Sequence, residues 1–560
     1  MSAAATPVAV VAPAAESGGP AAATGTGGPE PRSGAGSWRS WARVAAAWAS
    51  GIVAWQVLAT TLLDGRHLVG APVAMVEAAV DDATLYGRAL TTTVGEAAWG
   101  FLWGNLVAVA LATLVAVVPA TERFVLRVGL VVFCLPLVAI GPVLRVTFGA
   151  GAGPQITLAA LAVFFTTLVS LLVGLRAVPS TWSDLVASYG RGRLTTLVVV
   201  RARAAVPYLA AGLQVAVPAA FLGALVGEFT GAERGVGILI IHALRSLDTD
   251  GLWALAAMSV VVSVAGYSLA GAVGRWLSEG EPPVLLAPPP AGSDQRRSRL
   301  WRVLRATAEV LLTTGFVLAA WELLLQAFDL NPFFAKGPDE VWQWMVSGPG
   351  AAAHREEIFT ALGETARLIV PGYLAGLALG AALAGLFDLS PAVRRSVTPL
   401  TIALRCVPIV AVAPLLVQAL GRGAFGTIVT VALMTFFPTL VACAAGLRQT
   451  PGQVLDFYAV YGTGRARTLV SAQVPAMLPA FFAAARMAVP AAVLAATVAE
   501  WLATGTGMGN LMALSAANNV YGTLWASVAV LTVVVVAAYG LTSWAERAVL
   551  SRIAPEQVSW

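Results

Sequence analysis

Two short polar segments of the sequence carry the same set of side chains, 272 positions apart. Each has an aspartate, a tyrosine, a glycine directly after the tyrosine, and an arginine three positions further on. In chain order these residues are Asp184, Tyr189, Gly190 and Arg193, then Asp456, Tyr461, Gly462 and Arg465. An aspartate can cap a helix or bind an arginine of another protein, and a glycine can end a short helix. The pattern predicts a short amphipathic helix that ends at the glycine in each segment.

The arrangement of basic residues excludes ATPase chemistry in this chain. Lys336 is the only lysine among 560 residues, and it is followed by Gly337 and Pro338. A phosphate-binding P-loop has the pattern G-x-x-x-x-G-K-[ST], because its lysine reaches the β- and γ-phosphates. We therefore expect no enzyme activity and no catalytic residue here, and a partner must supply any ATP-driven step. The three cysteines and three histidines form no metal-ligand pattern, so no metal site and no cofactor are expected.

The composition is that of a membrane protein. Hydrophobic residues make up 58% of the chain and charged residues only 11%, which is too little charge to cover a soluble protein of this length. Long apolar stretches indicate membrane spans, and therefore contact with lipid. The formal net charge is +5. No basic cluster is interleaved with aromatic residues, so a nucleic-acid partner is not expected.

The two polar segments belong to two sequence repeats. A constant shift of 272 aligns residues 90–270 with the later half without a gap, and it superposes prolines, glycines and carboxylates. Each repeat can supply six spans, so we predict an all-α membrane protein with about twelve transmembrane helices in two six-helix repeats. The predicted spans are 43–63, 93–118, 126–147, 157–178, 207–231, 253–276, 303–328, 365–387, 396–420, 425–447, 479–503 and 522–546.

Arginine-rich loops set the predicted orientation. They precede the first span, lie between spans two and three and between spans four and five, and surround the break between the repeats. Positive charge marks cytoplasmic loops. With an even number of spans per repeat, both termini lie in the cytoplasm. The repeats are then parallel, related by an axis along the membrane normal, and a pathway between them follows.

Composition also predicts the domain boundaries. Residues 1–36 are rich in Ala, Pro, Gly, Ser and Thr and lack a signal peptide's basic segment and apolar core, so we predict a disordered tail. Residues 279–299 read as a proline-rich cytoplasmic linker that ends in a basic run. The two membrane repeats are therefore 37–278 and 300–560.

Matched carboxylates and prolines lie in the fifth span of each repeat. Glu228 and Glu500 each precede a Gly-x-Gly turn. An ionisable group at membrane depth is often functional, which favours a gate or a substrate contact in the pathway. The alternative is a carboxylate at the interface that accepts hydrogen bonds from the glycine turn. Pro218 and Pro490 are expected to kink this span, as in a helix that lines a pathway, although a kink without function is the alternative.

The segments between spans four and five resemble the cytoplasmic loop of type I ABC importer permeases. That loop carries the EAA signature, which is Glu-Ala-Ala, then a glycine, then a proline about a dozen residues later. Asp184 and Asp456 stand six positions before Gly190 and Gly462, where the signature has its glutamate and its glycine. The closing prolines of the second repeat are Pro475 and Pro479. The Glu and Gly-x-Gly elements resemble the nitrate/sulfonate/taurine-like branch, and the resemblance covers 90–275 and 362–547.

The resemblance implies a mechanism and partners. Each short helix would be a coupling helix on one of two ATPase subunits, which bind ATP and Mg on the cytoplasmic face. An extracytoplasmic binding protein would deliver a small solute, such as a sulfonate, nitrate, taurine or a vitamin precursor. The membrane would be a bacterial inner membrane.

This sequence departs from the signature at three points. Aspartate replaces glutamate, larger residues replace the Ala-Ala pair, and Arg203 stands where the first repeat would have its first closing proline. Because only the first repeat lacks this proline, we expect that the two docking sites are not equivalent.

Two other classes of protein fit part of the pattern. A twelve-span secondary transporter driven by an ion gradient also has duplicated six-span halves. Such proteins often carry charges in the bundle and a basic signature between spans two and three, whereas the strong paired loop here lies between spans four and five. A membrane scaffold without transport is the third class, and the paired loops and span-five prolines argue against it.

Overall fold

In a computed structural model, the chain folds as α-helices joined by turns. The structure describes residues 49–61, 70–149, 151–178, 180–192, 195–277, 299–390 and 423–553, with a few positions between 412 and 421; no β-strand occurs in these parts. The chain divides into two compact units, Met1–Val57 and Leu58–Trp560. Of the first unit, residues 49–57 are described, and they are helical. The predicted tail lies outside the described residues, as does nearly all of the predicted linker.

The described residues of the second unit contain eighteen α-helices that are numbered here in chain order. Those of the first repeat are α1 (Pro72–Asp81), α2 (Ala83–Val117), α3 (Glu122–Phe133), α4 (Leu137–Phe148), α5 (Gly153–Arg176), α6 (Ser180–Ser188), α7 (Ala202–Phe229), α8 (Val236–Ser246) and α9 (Thr249–Leu277). Those of the second are α10 (Arg299–Ala327), α11 (Pro338–Trp342), α12 (Ala351–Leu389), α13 (Ala424–Arg448), α14 (Gly452–Val460), α15 (Arg465–Thr468), α16 (Val474–Ala499), α17 (Gly507–Ala517) and α18 (Tyr521–Ile553). Wider π-helical turns, Thr196–Arg201 and Leu469–Gln473, lead into α7 and α16.

The described residues contain nine helices that are long and apolar enough to cross a membrane, or ten if one bent pair counts as a span. The prediction of an all-α membrane protein is confirmed. The predicted span 396–420 falls almost wholly outside the described residues, and 43–63 does so in part. The predicted span 126–147 is broken in the structure, since the chain bends by 84° between Phe133 and Leu137. Pro136 lies in this break; its ring removes a backbone donor and disfavours a helical residue before it.

The duplication predicted from the sequence is repeated in the packing. In the first repeat α2 packs on α5, α5 on α7 and α7 on α9; in the second α12 packs on α13, α13 on α16 and α16 on α18. Matched glycines allow the close approach of the first pair. A Cβ on Gly100 would lie 2.7 Å from the carbonyl oxygen of Ile156, and one on Gly372 would lie 2.7 Å from that of Ile428. Small residues of this kind let membrane helices pack backbone to backbone.

Helices of the first repeat also pack on the second. The bent pair α3 and α4 contacts α16, α17 and α18, and Cys134 and Ala139 lie in one apolar cluster with Met508 and Leu531. The halves thus share a common core.

Glu309 of α10 joins the two repeats by ion pairs. It binds Arg123 at 3.2 Å and Arg127 at 2.7 Å, both on α3, and Arg305 at 3.0 Å on its own helix. The sequence predicts all three arginines on the cytoplasmic face. Their meeting at one carboxylate agrees with a common side for the loop between spans two and three and the segment after the linker.

Candidate functional site

The two polar segments form short helices with the same bounds under the shift of 272, which are α6 and α14. Each ends in a left-handed glycine, Gly190 with φ 69° and Gly462 with φ 62°. The Gly190 amide donates to the Ala187 carbonyl and the next amide donates to Val186; in the second repeat the Gly462 and Thr463 amides make the same pair of bonds. This is the Schellman arrangement, in which glycine adopts φ values that other residues reach at a cost.

The described faces of α6 and α14 are exposed and largely apolar or aromatic. Tyr189 is 77% exposed and Tyr461 is 71% exposed. Further exposed side chains are Trp182 and Leu185 on α6, and Val454, Phe457 and Val460 on α14. Several exposed apolar side chains on one short helix indicate a contact with another protein.

The charged residues that the sequence predicts in these segments are two aspartates and two arginines. Asp184 and Asp456 are exposed, and within the described part of the chain neither makes a hydrogen bond or an ion pair. They therefore do not cap their own helices. Arg465 is exposed at the start of α15. Arg193 lies outside the described residues, so its role stays a prediction.

At the opposite end of α7, Glu228 holds the turn that follows the helix. Its side chain is fully buried. One oxygen accepts a hydrogen bond from the Gly237 amide at 2.5 Å, and the other accepts one from the Thr93 hydroxyl, also at 2.5 Å. The Val236 amide donates to the same hydroxyl at 2.9 Å. Glu228 and Thr93 thus fix the first turn of α8 to α2. We call these two residues and the amides that they bind the Glu228 clasp.

The second repeat builds a similar clasp. The buried Glu500 accepts a hydrogen bond from the Gly509 amide at 2.9 Å, and the Thr365 hydroxyl accepts one from the Met508 amide at 2.8 Å. Glu364 adds a bond to the Gly507 amide at 2.9 Å. Both glutamates therefore have the geometry of the interface carboxylate bonded to the glycine turn. A direct contact with solute in the pathway stays a prediction.

The threonines of the clasps were missed from the sequence. Thr93 and Thr365 are superposed by the same shift of 272 that superposes Glu228 and Glu500. The sequence did contain a signal for them, namely a threonine at the same position of span two in both repeats. Threonine is common in membrane helices, so this match alone does not stand out. Pro218 and Pro490 lie inside α7 and α16 and are half-buried, with the helix continuing on both sides.

The residues after the two glutamates bring the halves together. Phe229 and Trp501 occupy matched positions, and their rings meet edge to face with centroids 6.4 Å apart. They line a cavity of about 380 Å³ with Ile241, Leu244, Arg245, Leu247 and Leu502. The sequence interpretation missed this pair too. Its signal was one aromatic residue directly after the glutamate in each repeat.

The sequence matches one protein family twice. The family is described as Binding-protein-dependent transport system inner membrane component, and it matches residues 101–279 and again 376–555. The two matches cover one repeat each, in agreement with the duplicated fold.

Individual relatives each correspond to one half of the chain. A probable ABC transporter permease protein of Haemophilus influenzae is 30% identical over 216 residues, which is 39% of this chain and 88% of that protein. A formylaminopyrimidine transport permease protein of Halalkalibacterium halodurans is 34% identical over 39% of this chain and 87% of its own length. A riboflavin transport system permease protein of Chloroflexus aurantiacus is 32% identical over 26% of this chain and 55% of its own length. With two family units in one polypeptide and a fold that repeats with them, the chain belongs to the binding-protein-dependent transport system inner membrane components and is a membrane-spanning permease of an ABC importer.

Proposed function

We propose that α6 and α14 are the coupling helices of this permease and that each docks on one of two ATPase subunits, which are separate chains or a homodimer. The observation that carries the proposal is the pair of exposed helices with equal bounds, each closed by a left-handed glycine. Their apolar side chains can pack in a groove of the ATPase. Asp184 and Asp456, which bind no other described residue, can accept hydrogen bonds from arginines of the ATPase. The ATPase subunits bind ATP and Mg.

The helices that follow connect the coupling helices to the contact between the halves. After α6 the chain passes through a π-helical turn into α7, whose last residue is Phe229; α14 leads by α15 and a second π-helical turn into α16, which Trp501 follows. A rigid helix transmits motion at one end to the other. Closure of the ATPase subunits would therefore change the packing of Phe229 on Trp501, so that the halves expose the pathway alternately.

We infer that the solute is a small polar organic molecule or anion delivered by an extracytoplasmic binding protein. The names of the relatives include riboflavin and formylaminopyrimidine, which supports a vitamin or vitamin precursor. The sequence resemblance supports a sulfonate-, nitrate- or taurine-like anion. The chain lies in a bacterial inner membrane with both termini and the linker in the cytoplasm, in accord with its arginine-rich loops.

The test changes the glycines that close the coupling helices. In the double variant Gly190→Val with Gly462→Val, each valine would have to adopt a left-handed conformation, at about 1–2 kcal/mol per residue. We expect loss of ATP-driven uptake and of ATPase co-purification, with normal membrane insertion. The matched control is Gly192→Val with Gly464→Val, because these glycines lie in the same loops, have no positive φ and have open space around them.

The control should retain uptake. Unchanged uptake by the Gly190 and Gly462 double variant would refute the coupling assignment. Uptake into proteoliposomes without ATP or an ATPase would refute the dependence on partner subunits.

A further inference from the structure

The first repeat contains a cavity that neither the coupling helices nor the contact between the halves uses. Its volume is about 270 Å³, just below the range of roughly 300–1,000 Å³ that is typical of ligand sites. It lies between α2, the loop before α5 and the turn after α7, on the same side as the Glu228 clasp. Gly227 and Thr230 line it, and Phe229 lies between them in the sequence.

Two buried acceptors that line the cavity lack a hydrogen-bond donor. Glu96 is 7% exposed and Gln155 is 4% exposed. In the described part of the chain, Glu96 Oε2 and Gln155 Oε1 have no partner. By contrast, both oxygens of the neighbouring Glu228 accept hydrogen bonds. A buried acceptor without a donor destabilises a fold by about 1–3 kcal/mol, so these two atoms suit a ligand that donates hydrogen bonds.

The lining of the same cavity carries charges of both signs. Besides Glu96, it includes Glu233, Arg234 and Arg145, and the Arg145 guanidinium packs over Gly231. Arg145 forms no ion pair with any residue that the structure describes. A simple cation would meet these arginines, and a simple anion would meet Glu96. A molecule with separated positive and negative groups complements both.

The fold does not need this polar set, since the second repeat lacks it. Under the shift of 272, Glu96, Arg145 and Gln155 fall on Leu368, Val417 and Thr427. The helices that carry Glu96 and Gln155, α2 and α5, nevertheless have nearly the same bounds and packing as α12 and α13 of the second repeat. The three residues are therefore specific to one half, as expected of a ligand site rather than of a structural requirement.

We propose that this cavity binds a small zwitterionic solute. Its ammonium group donates to Glu96 and Gln155, and its carboxylate or sulfonate group faces Arg145. The solute class deepens the proposed function and rests on it: the molecule occupies this site on its way to the contact between Phe229 and Trp501.

The test is direct binding to the full-length chain in lipid nanodiscs, without an ATPase. The probes are taurine and β-alanine as zwitterions, with ethanesulfonate and ethylamine as analogues that each lack one charge. We expect calorimetric binding of at least one zwitterion, and at least tenfold weaker binding of both analogues. Glu96→Leu and Gln155→Thr should each weaken zwitterion binding at least tenfold, because they introduce the second repeat's residues.

Glu364→Gln is the matched control, since it alters a carboxylate at the clasp of the other repeat and outside this cavity. It should bind the zwitterion as the unchanged protein does. Size-exclusion chromatography and thermal unfolding report whether each variant is folded. If Glu96→Leu does not fold, Gln155→Thr alone tests the cavity.

Three results would overturn the proposal. They are absence of binding by both zwitterions, equal binding of ethanesulfonate or ethylamine, and unchanged zwitterion binding in both cavity variants. Failure of the coupling proposal leaves this binding measurement unaffected, because no ATPase is present.

Discussion

Arg486 of α16 and Glu546 of α18 form an ion pair inside the membrane-spanning part of the second repeat. Both side chains are about 6% exposed. The first repeat has Gln214 and Gly274 at the matched positions, so it carries neither charge. Removing one partner leaves the other charge buried and uncompensated. This costs about 3–5 kcal/mol, whereas replacing both partners is often close to neutral.

The experiment is a double-mutant cycle with Arg486→Gln, Glu546→Gln and the two combined. We expect each single variant to lower the apparent free energy of unfolding in SDS titration by about 3–5 kcal/mol. The double variant should regain at least about 2 kcal/mol of that loss, because two amides can hydrogen-bond without charge. Arg547→Gln is the control, since Arg547 is exposed on the same helix, and it should stay within about 0.5 kcal/mol.

Additive effects would contradict the reasoning. If the double variant were as unstable as the sum of the single variants, the two side chains would not depend on each other. If the single variants matched Arg547→Gln, the charges would not be desolvated.

Two further predictions concern the end of the pathway opposite the coupling helices. Thr93→Val removes a donor to Glu228 and an acceptor for the Val236 amide, whereas Thr365→Val removes only the acceptor for the Met508 amide. Thr93→Val should therefore lower the thermal unfolding midpoint more than Thr365→Val does. Equal or reversed effects would contradict the clasp geometry. Combined Phe229→Ala and Trp501→Ala should raise ATP-independent leak of a small solute from proteoliposomes, because the two rings meet between the halves; leak equal to that of the unchanged protein would show that they do not close the pathway.

Local patterns in the sequence predicted the repeats and the ends of α6 and α14 well. Gly190 and Gly462 follow short polar helices, and a left-handed glycine is a local requirement of the turn itself. The length of the apolar segments likewise predicted most spans, because a helix in a membrane must form all its backbone hydrogen bonds within its own segment. The bend near Pro136 was missed, since a proline inside an apolar run is also compatible with a continuous span.

The contacts that fix the sites were not predictable in the same way. Thr93 bonds to Glu228 across 135 positions, and Arg486 pairs with Glu546 across 60. Such partners depend on which faces of two helices meet, and a single apolar sequence does not specify this. Glu96 and Gln155 were overlooked for the same reason, because only packing places both at one cavity.

The joining of both halves in one polypeptide has a consequence for stoichiometry. In a dimer of identical subunits every substitution appears twice, related by the two-fold axis. Here the halves can diverge separately, and the set of Glu96, Arg145 and Gln155 occurs in one half alone. Each chain therefore holds one such set of residues, and saturation of the proposed site should occur at one equivalent of solute per chain.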